Sequence, residues 1–501
     1  MKKKVYLGTA MLACGIAVLA CGKKKSSKTN DPATPPKDAT AFTIGGTLSL
    51  EAQNLLASNS VTHVMAVNPS NSAPERVVGE VKAGAFSLEV KPGKPYALVF
   101  IDSSKIGKDM IVGIFKDKTL DSLAPLTEGG STSLGKVAID ATAKSAAPET
   151  AYETLLANMG LSAAGAAYLG DIDDLSLRYA NPDIDGNGKI DELETDASGA
   201  KKSFGIDFHI RANTFKGTTG STQLTVDDMT NQFFADSGTN VADSRYNLNS
   251  AYAFFAKSFD LGSYVDSNTM TPKSGVSFKY FDTADHAVTS GSNISFSELS
   301  FGSYGGFGVN YSVASGSDNQ TPGTELPGSG GTPVDYIFGF GDKTLTFTNV
   351  ITLTKSKLEA DNNLMIFVKF NTTGAGVGAV GQNQPIESVS YKWMKKSGAS
   401  WVLATAEEIK LTVNDNGGAA GFYVNAKANS AGFKVPTQPE GTLTWDVSST
   451  WSKDSTDSAT VAAFMKGATP ANVCSMAISY DDKLGLRHFS GGAIATGTAC
   501  N

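Results

Sequence analysis

The stretch AFSLEVKPGKPYALVFID (Ala85–Asp102) decides the fold class of this chain. Phe86, Leu88 and Val90 alternate with Ser87 and Glu89, the period of two that puts apolar side chains on one face of a strand and polar ones on the other. Pro92 and Gly93 then break the run. Proline has no N–H to give to a ladder, and glycine enters positive-φ turn conformations at no steric cost. Tyr96–Ile101 resumes as an unbroken apolar run of strand length. Strand, turn and strand follow one another within a short span, the grammar of a β protein.

The same pattern recurs on the N-terminal side in Thr43–Leu50, Val61–Val67 and Arg76–Lys82, separated by Gly, Pro, Asn and Ser. Short strands with such punctuation predict an antiparallel sandwich over residues 42–140. The quoted stretch resembles the later strands of carboxypeptidase-regulatory or transthyretin-like modules, where a strand, a Pro-Gly turn and a second apolar strand precede an edge. That resemblance implies a β-sandwich module with no chemistry of its own.

A helical insert is expected at 141–200. Pro148 sits early in a helical pattern that runs to Met159 and is closed by Gly160, proline first and glycine last. Ser162 can cap a second short helix over Ala163–Leu169, and Ile172, Leu175 and Tyr179 continue at helical spacing. From Phe204 the alternation of strands returns. Runs at Phe204–Ile210, Val276–Phe281, Ile294–Phe301, Phe307–Val313, Thr344–Leu353, Met365–Phe370, Ser388–Met394, Ile409–Val413, Phe422–Ala426, Leu443–Val447 and Cys474–Tyr480 read as strands, with one helix at Val226–Phe234. The Gly-, Pro- and Ser-rich stretch Ser315–Pro333 divides them into 201–330 and 331–501. The chain is thus expected to be mainly β: tandem β-sandwich domains, Ig-like or transthyretin-like, with a short helical insert.

That insert leads into the string with the clearest chemistry, DIDGNGKIDELE (Asp183–Glu194). Side-chain oxygens stand at loop positions 1, 3 and 5 (Asp183, Asp185, Asn187), Gly188 at 6 and Glu194 at 12. Lys189 at 7 needs only its carbonyl, and Asp191 occupies 9. A hard cation such as Ca²⁺ takes six to eight oxygens, and alternating donors on a tight turn plus a bidentate Glu supply them. Gly188 suits the positive-φ bend between the two groups. The string closely resembles the EF-hand loop, which implies Ca²⁺ held by Asp183, Asp185, Asn187, Lys189, Asp191 and Glu194. Pro182 opposes a helix running straight into the loop, Thr195 replaces the usual apolar residue after the Glu, and no second loop of this type is present. A solitary or dockerin-like site is expected, with a structural role and the weak affinity of extracellular modules.

At the N-terminus, three lysines precede a mostly apolar run from Val5 to Ala20 and then Cys21. A positive head, a short apolar stretch and small residues make a secretory signal. Val18-Leu19-Ala20-Cys21 resembles a lipobox, which implies cleavage before Cys21 and acylation of that cysteine with palmitate-type chains. Several chains anchor stably where a single one does not. Residues 21–41, with almost no apolar side chains, read as a disordered tether. Gly22 stands where an inner-membrane retention signal would have Asp, which favours the outer membrane. Two further cysteines, Cys474 and Cys500, form an even pair in an oxidising compartment and are expected to be a disulfide.

A formal charge of −7 and the lack of a dense basic patch beyond the tether argue against nucleic acid as a partner. Catalytic patterns fail on inspection. His63, His209, His286 and His488 have no partners at metal-binding spacing. Ser133–Lys136 fits SxxK without companion motifs. Gly376–Gly381 fits GxGxxG but is followed by Pro385 and another strand, where a dinucleotide site needs a helix. Asp481 and Asp482 lie in an apparent hairpin turn. Trp393, Trp401, Trp445 and Trp451 are expected as sandwich core or rim. The expectation is a calcium-binding envelope lipoprotein, a non-catalytic binding or adhesion protein with an unidentified protein or glycan ligand. The alternative is a carbohydrate-binding or carbohydrate-processing surface protein using those tryptophans.

Overall fold

In a computed structural model, the residues described are 40–49, 61–68, 75–115, 122–169, 179–195, 199 and 201–202, followed by separate strands, one helix and adjoining residues between 204 and 493. Within that later part, side chains are described at 335, 344–348 and 364 and over parts of 388–411 and 438–442. The signal stretch, Cys21, the tether up to residue 39, the helix expected at Val226–Phe234, Ser315–Pro333, the glycines at 376–381, Trp445, Trp451 and Cys500 lie outside the described residues, and so does the expected Cys474–Cys500 bridge. No helix among the described residues is long and apolar enough to cross a membrane.

The fold is mainly β. The first part comprises β1 (Phe42–Leu48), β2 (His63–Asn68), β3 (Glu75–Glu80), β4 (Ala85–Val90), β5 (Ala97–Ile101), β6 (Ile111–Phe115), β7 (Ser131–Asp140) and β8 (Ser145–Pro148). These eight join in a single sheet of order β3-β2-β5-β6-β8-β7-β1-β4. Its ladders are antiparallel except β1 with β7 and β6 with β8. The alternation in the quoted stretch appears as expected: Phe86, Leu88 and Val90 of β4 are buried while Ala85, Ser87 and Glu89 are exposed. β5 is buried throughout, between β2 and β6.

The two edge strands, β3 and β4, are consecutive in the chain. Lys82 and Ala85 exchange backbone hydrogen bonds of 2.9 Å across Ala83 and Gly84, whose φ values of 50° and 79° are those of a turn with both central residues left-handed. The sheet therefore curls until its edges meet, nearly closed as a barrel. At Gly79 on β3 a Cβ would come within 2.7 Å of the Ser87 carbonyl oxygen, so the approach of the edges needs glycine there. Phe86 on β4 packs edge-on against Phe100 on β5, ring centroids 5.7 Å apart, across the interior of the curl. The sequence pointed to strands shared between two facing sheets. Alternation reveals which face of a strand is buried, but it is silent on which neighbour the strand bonds.

Helix α1 (Tyr152–Met159) buries Leu155, Leu156 and Met159, and Asn158 Nδ2 donates to Thr132 Oγ1 of β7 at 3.2 Å. Gly160 ends it in the left-handed conformation at φ 71°, as its position predicted. Pro148 does not open the helix; it closes β8 opposite Val137, beyond the residues of β8 that pair with β6. In helix α2 (Ala163–Leu169), Ser162 Oγ accepts the Gly165 N–H at 3.1 Å, the expected cap.

Beyond the loop, a second eight-stranded sheet runs through Ile294–Ser295, Asn310–Ser312, Arg245–Phe255, Phe204–Asn213, Arg487–Ala493, Val473–Asp481, Gly421–Ala426 and Ser430–Lys434. A four-stranded sheet ends on the strand Lys343–Val350, and another is centred on Ile386–Ser397. One expected strand is a helix. Ile409–Val413 alternates at period two, yet helix α3 (Ala406–Thr412) covers most of it. Thr405 and Glu408 form a reciprocal capping box, with Thr405 N–H to Glu408 Oε2 at 2.7 Å and Glu408 N–H to Thr405 Oγ1 at 3.3 Å. That T-x-x-E signal was present in the sequence and outweighs the short alternation.

Candidate metal centre

The loop Asp183–Glu194 is built by its own short hydrogen bonds. Asp183 is fully buried; its Oδ1 accepts the Asn187 N–H at 2.9 Å and its Oδ2 the Gly188 N–H at 2.8 Å. Gly186 and Gly188 have φ values of 68° and 82°, so the turn uses two glycines, of which the loop pattern required only the second. Ile184 and Ile190 are buried beneath it. Asp191–Leu193 form a single 3₁₀ turn and Glu194 is extended, so no helix leaves the loop among the described residues.

Three of the six expected ligand residues converge. Oxygens of Asp183, Asp185 and Asp191 lie within 4.8 Å of one another, a group able to hold a metal ion. Two of these carboxylates keep an oxygen in reserve: Asp185 Oδ1 and Asp191 Oδ1 are buried without a hydrogen-bond partner. A buried carboxylate oxygen with nothing to accept is costly, and a cation between the three acids would satisfy both. The donor set, all oxygen and mostly carboxylate, suits a hard divalent ion.

Of the other expected ligands, Asn187 and Glu194 are engaged in bonds of their own beside that group. Asn187 directs its amide nitrogen at Asp185 Oδ2 (3.3 Å) and Glu194 Oε2 (3.0 Å), and its own oxygen accepts the Lys189 N–H at 2.9 Å. Glu194 Oε2 also accepts from Lys202 Nζ at 2.8 Å, and Lys189 Nζ lies 3.8 Å from Glu194 Oε1. To join a coordination sphere, Asn187 would turn its amide over and Glu194 would exchange Lys202 for the ion.

Electrostatics follow the burial. Burial pushes the Asp191 carboxyl up to about 7, against the pull of Arg76 and of the Ile184 N–H. Asp183 is raised by burial too, despite three N–H donors. Glu194 has a smaller burial penalty, outweighed by Lys202 and Asn187, and is lowered.

The loop touches both sides of the molecule. Arg76 of β3, also buried, donates to Asp191 Oδ2 (3.0 Å), to Glu192 Oε1 (3.1 Å) and to the Asn181 carbonyl (2.9 Å). The Gly107 N–H, in the 3₁₀ turn before β6, donates to Asp183 Oδ2 at 2.9 Å. On the other side, the outer edge of Lys343–Val350 is bonded by the loop: Thr346 N–H to the Ile184 carbonyl and Asn181 Nδ2 to the Thr346 carbonyl, each 2.9 Å. Tyr179 meets Phe347 edge-on at 6.1 Å. Arg76 and Thr346 carried no sequence signal, because their role depends on partners more than a hundred residues away.

No family model, no curated protein and no solved structure matches this chain.

The residues set aside in the sequence fall in ordinary places. His63 opens β2 with its Nδ1 2.9 Å from Thr62 Oγ1, and His209, His286 and His488 lie on strands. Ser133 and Lys136 lie on β7, where Ser133 Oγ accepts the Gly135 N–H. Trp393 is wholly buried, as a core residue should be.

Proposed function

We propose that this chain is a calcium-binding envelope lipoprotein, anchored in the outer membrane through Cys21, and non-catalytic. Its loop acts as a structural clamp between the N-terminal β module and the β region that follows. The finer domain plan belongs to the same proposal: the curled first sheet as a transthyretin-like module, with 201–330 and 331–501 as further sandwich-type domains. Binding or adhesion would be carried by the loops that join their strands.

One observation supports the metal above all others. Asp191 Oδ1 is fully buried without a partner, in a residue whose carboxylate lies within 4.8 Å of those of Asp183 and Asp185. The clamp reading draws on the ties from the loop to Arg76 on one side and Thr346 on the other. Ca²⁺ is favoured by the spacing of oxygen donors from Asp183 to Glu194.

A site of this kind binds at about 10⁻⁴–10⁻³ M. At about 10 mM Ca²⁺ the linkage is then worth about 1.4–2.7 kcal/mol. Isothermal titration of the full chain in detergent should show calcium binding in that range. Calcium should also raise Tm by roughly 3–10 °C over EGTA, and protect the bonds around Asp183 from protease. No heat at millimolar Ca²⁺, with Tm unchanged by EGTA, rejects the proposal.

A further inference from the structure

Lys202 lies outside the loop pattern, yet its ammonium sits inside the loop's charge field. Its Nζ is 2.9 Å from Asp185 Oδ2 and 2.8 Å from Glu194 Oε2, with the side chain only 13 % exposed. The backbone holds it there. Thr195 and Lys201 form an antiparallel bridge, and the Lys202 N–H donates to the Glu194 carbonyl at 3.2 Å. This pairing delivers one positive charge to two acids of the same loop. Those two acids are at loop positions 3 and 12, where an EF-hand-type site uses a carboxylate.

From this geometry we infer that Lys202 is a tethered counter-cation that sets the calcium affinity of the loop. The inference rests on the calcium reading above. An ammonium and Ca²⁺ compete for the same oxygens: Lys202 occupies one oxygen each of Asp185 and Glu194, and Glu194 cannot become a bidentate ligand while it holds that bond. In the metal-free chain Lys202 relieves the repulsion between acids and keeps the loop closed. Calcium must release it. The loop thus stays assembled without metal, and its affinity is held below what its carboxylates alone would give.

Charge removal at contact distance from a divalent ion has a large effect even at a partly solvated site, so Lys202→Gln should bind calcium about tenfold tighter or more. Lys202→Arg, which keeps the charge, should stay near the wild-type value. Lys202→Gln should also melt at a lower temperature in EGTA and gain more from calcium than wild type does. The wild-type chain offers a readout that needs no variant: acetylation of Lys202, followed by peptide mass spectrometry, should speed up on adding Ca²⁺ as the ammonium leaves the acids.

Calcium binding of equal strength in wild type and Lys202→Gln overturns the inference and leaves the calcium reading standing. So does Lys202 labelling that calcium leaves unchanged while calorimetry records binding. If neither protein binds calcium, both readings fall together.

Discussion

Arg76 and Asp191, 115 residues apart in the chain, form a buried ion pair with Nη2 and Oδ2 3.0 Å apart. Arg76 comes from an edge strand of the first sheet and Asp191 from position 9 of the loop. The guanidinium gives one N–H to Asp191, another to Glu192 and a third to the Asn181 carbonyl. It therefore ties three points of the loop segment to one strand, a use of its planar fork that lysine lacks.

Removing Arg76 takes hydrogen bonds from Asp191, Glu192 and the Asn181 carbonyl and the counter-charge from a buried acid, at a cost of up to roughly 3–5 kcal/mol. Arg76→Ala should lower the unfolding free energy from urea titration by that much in EGTA, with a correspondingly lower midpoint. Calcium should recover part of the loss, because the ion gives Asp191 another counter-charge. An Arg76→Ala midpoint within error of wild type would show that the pair does not hold the loop.

Gly188 adopts φ 82°, and a Cβ there would find its nearest neighbour, Ile106 Cγ1, at 3.7 Å. The obstacle to a side chain is therefore backbone conformation and not space. Gly188→Ala should destabilise the chain by about 1–2 kcal/mol. It should also weaken terbium or calcium binding, since the Gly188 N–H orients Asp183 Oδ2 at 2.8 Å. Unchanged terbium luminescence in Gly188→Ala would detach this glycine from the metal site.

Stability without metal should depend on pH in an unusual direction. Asp191 is raised by burial from 3.8 to about 7, and Asp183 is raised as well. Arg76 from β3, Glu192 from the same turn, and Asp183 and Asp185 from the loop are the charges facing it. An acid that holds its proton more tightly in the folded chain favours folding fully below its unfolded value, and the advantage is lost as pH rises through the folded value. Glu194 is lowered and works in the opposite sense, its contribution present above its ordinary 4.5 and lost as pH falls below that. In calcium-free buffer Tm should therefore fall between pH 5 and 8. Asp191→Asn should flatten that slope, and saturating calcium should reverse it. A metal-free Tm that climbs over this range contradicts the assignment.

Local pattern settled a good part of this protein. The alternation in Ala85–Val90, the left-handed stop at Gly160, the Ser162 cap and the oxygen spacing from Asp183 to Asp191 are all relations between residues a few positions apart. Strand periodicity, turn chemistry and caps act over such distances. At Ile409–Val413 two local signals disagreed, and the capping box at Thr405 and Glu408 prevailed over a short alternation. What tertiary structure alone decided is non-local. The strands of the first module join one sheet that curls until its edge strands β3 and β4 approach each other, a closure no periodicity encodes. Arg76 reaches Asp191, Lys202 bridges Asp185 and Glu194, and the loop bonds the edge at Thr346. Each of these depends on where the backbone brings two distant charges or unpaired peptide groups together, and burial then makes the pairing obligatory.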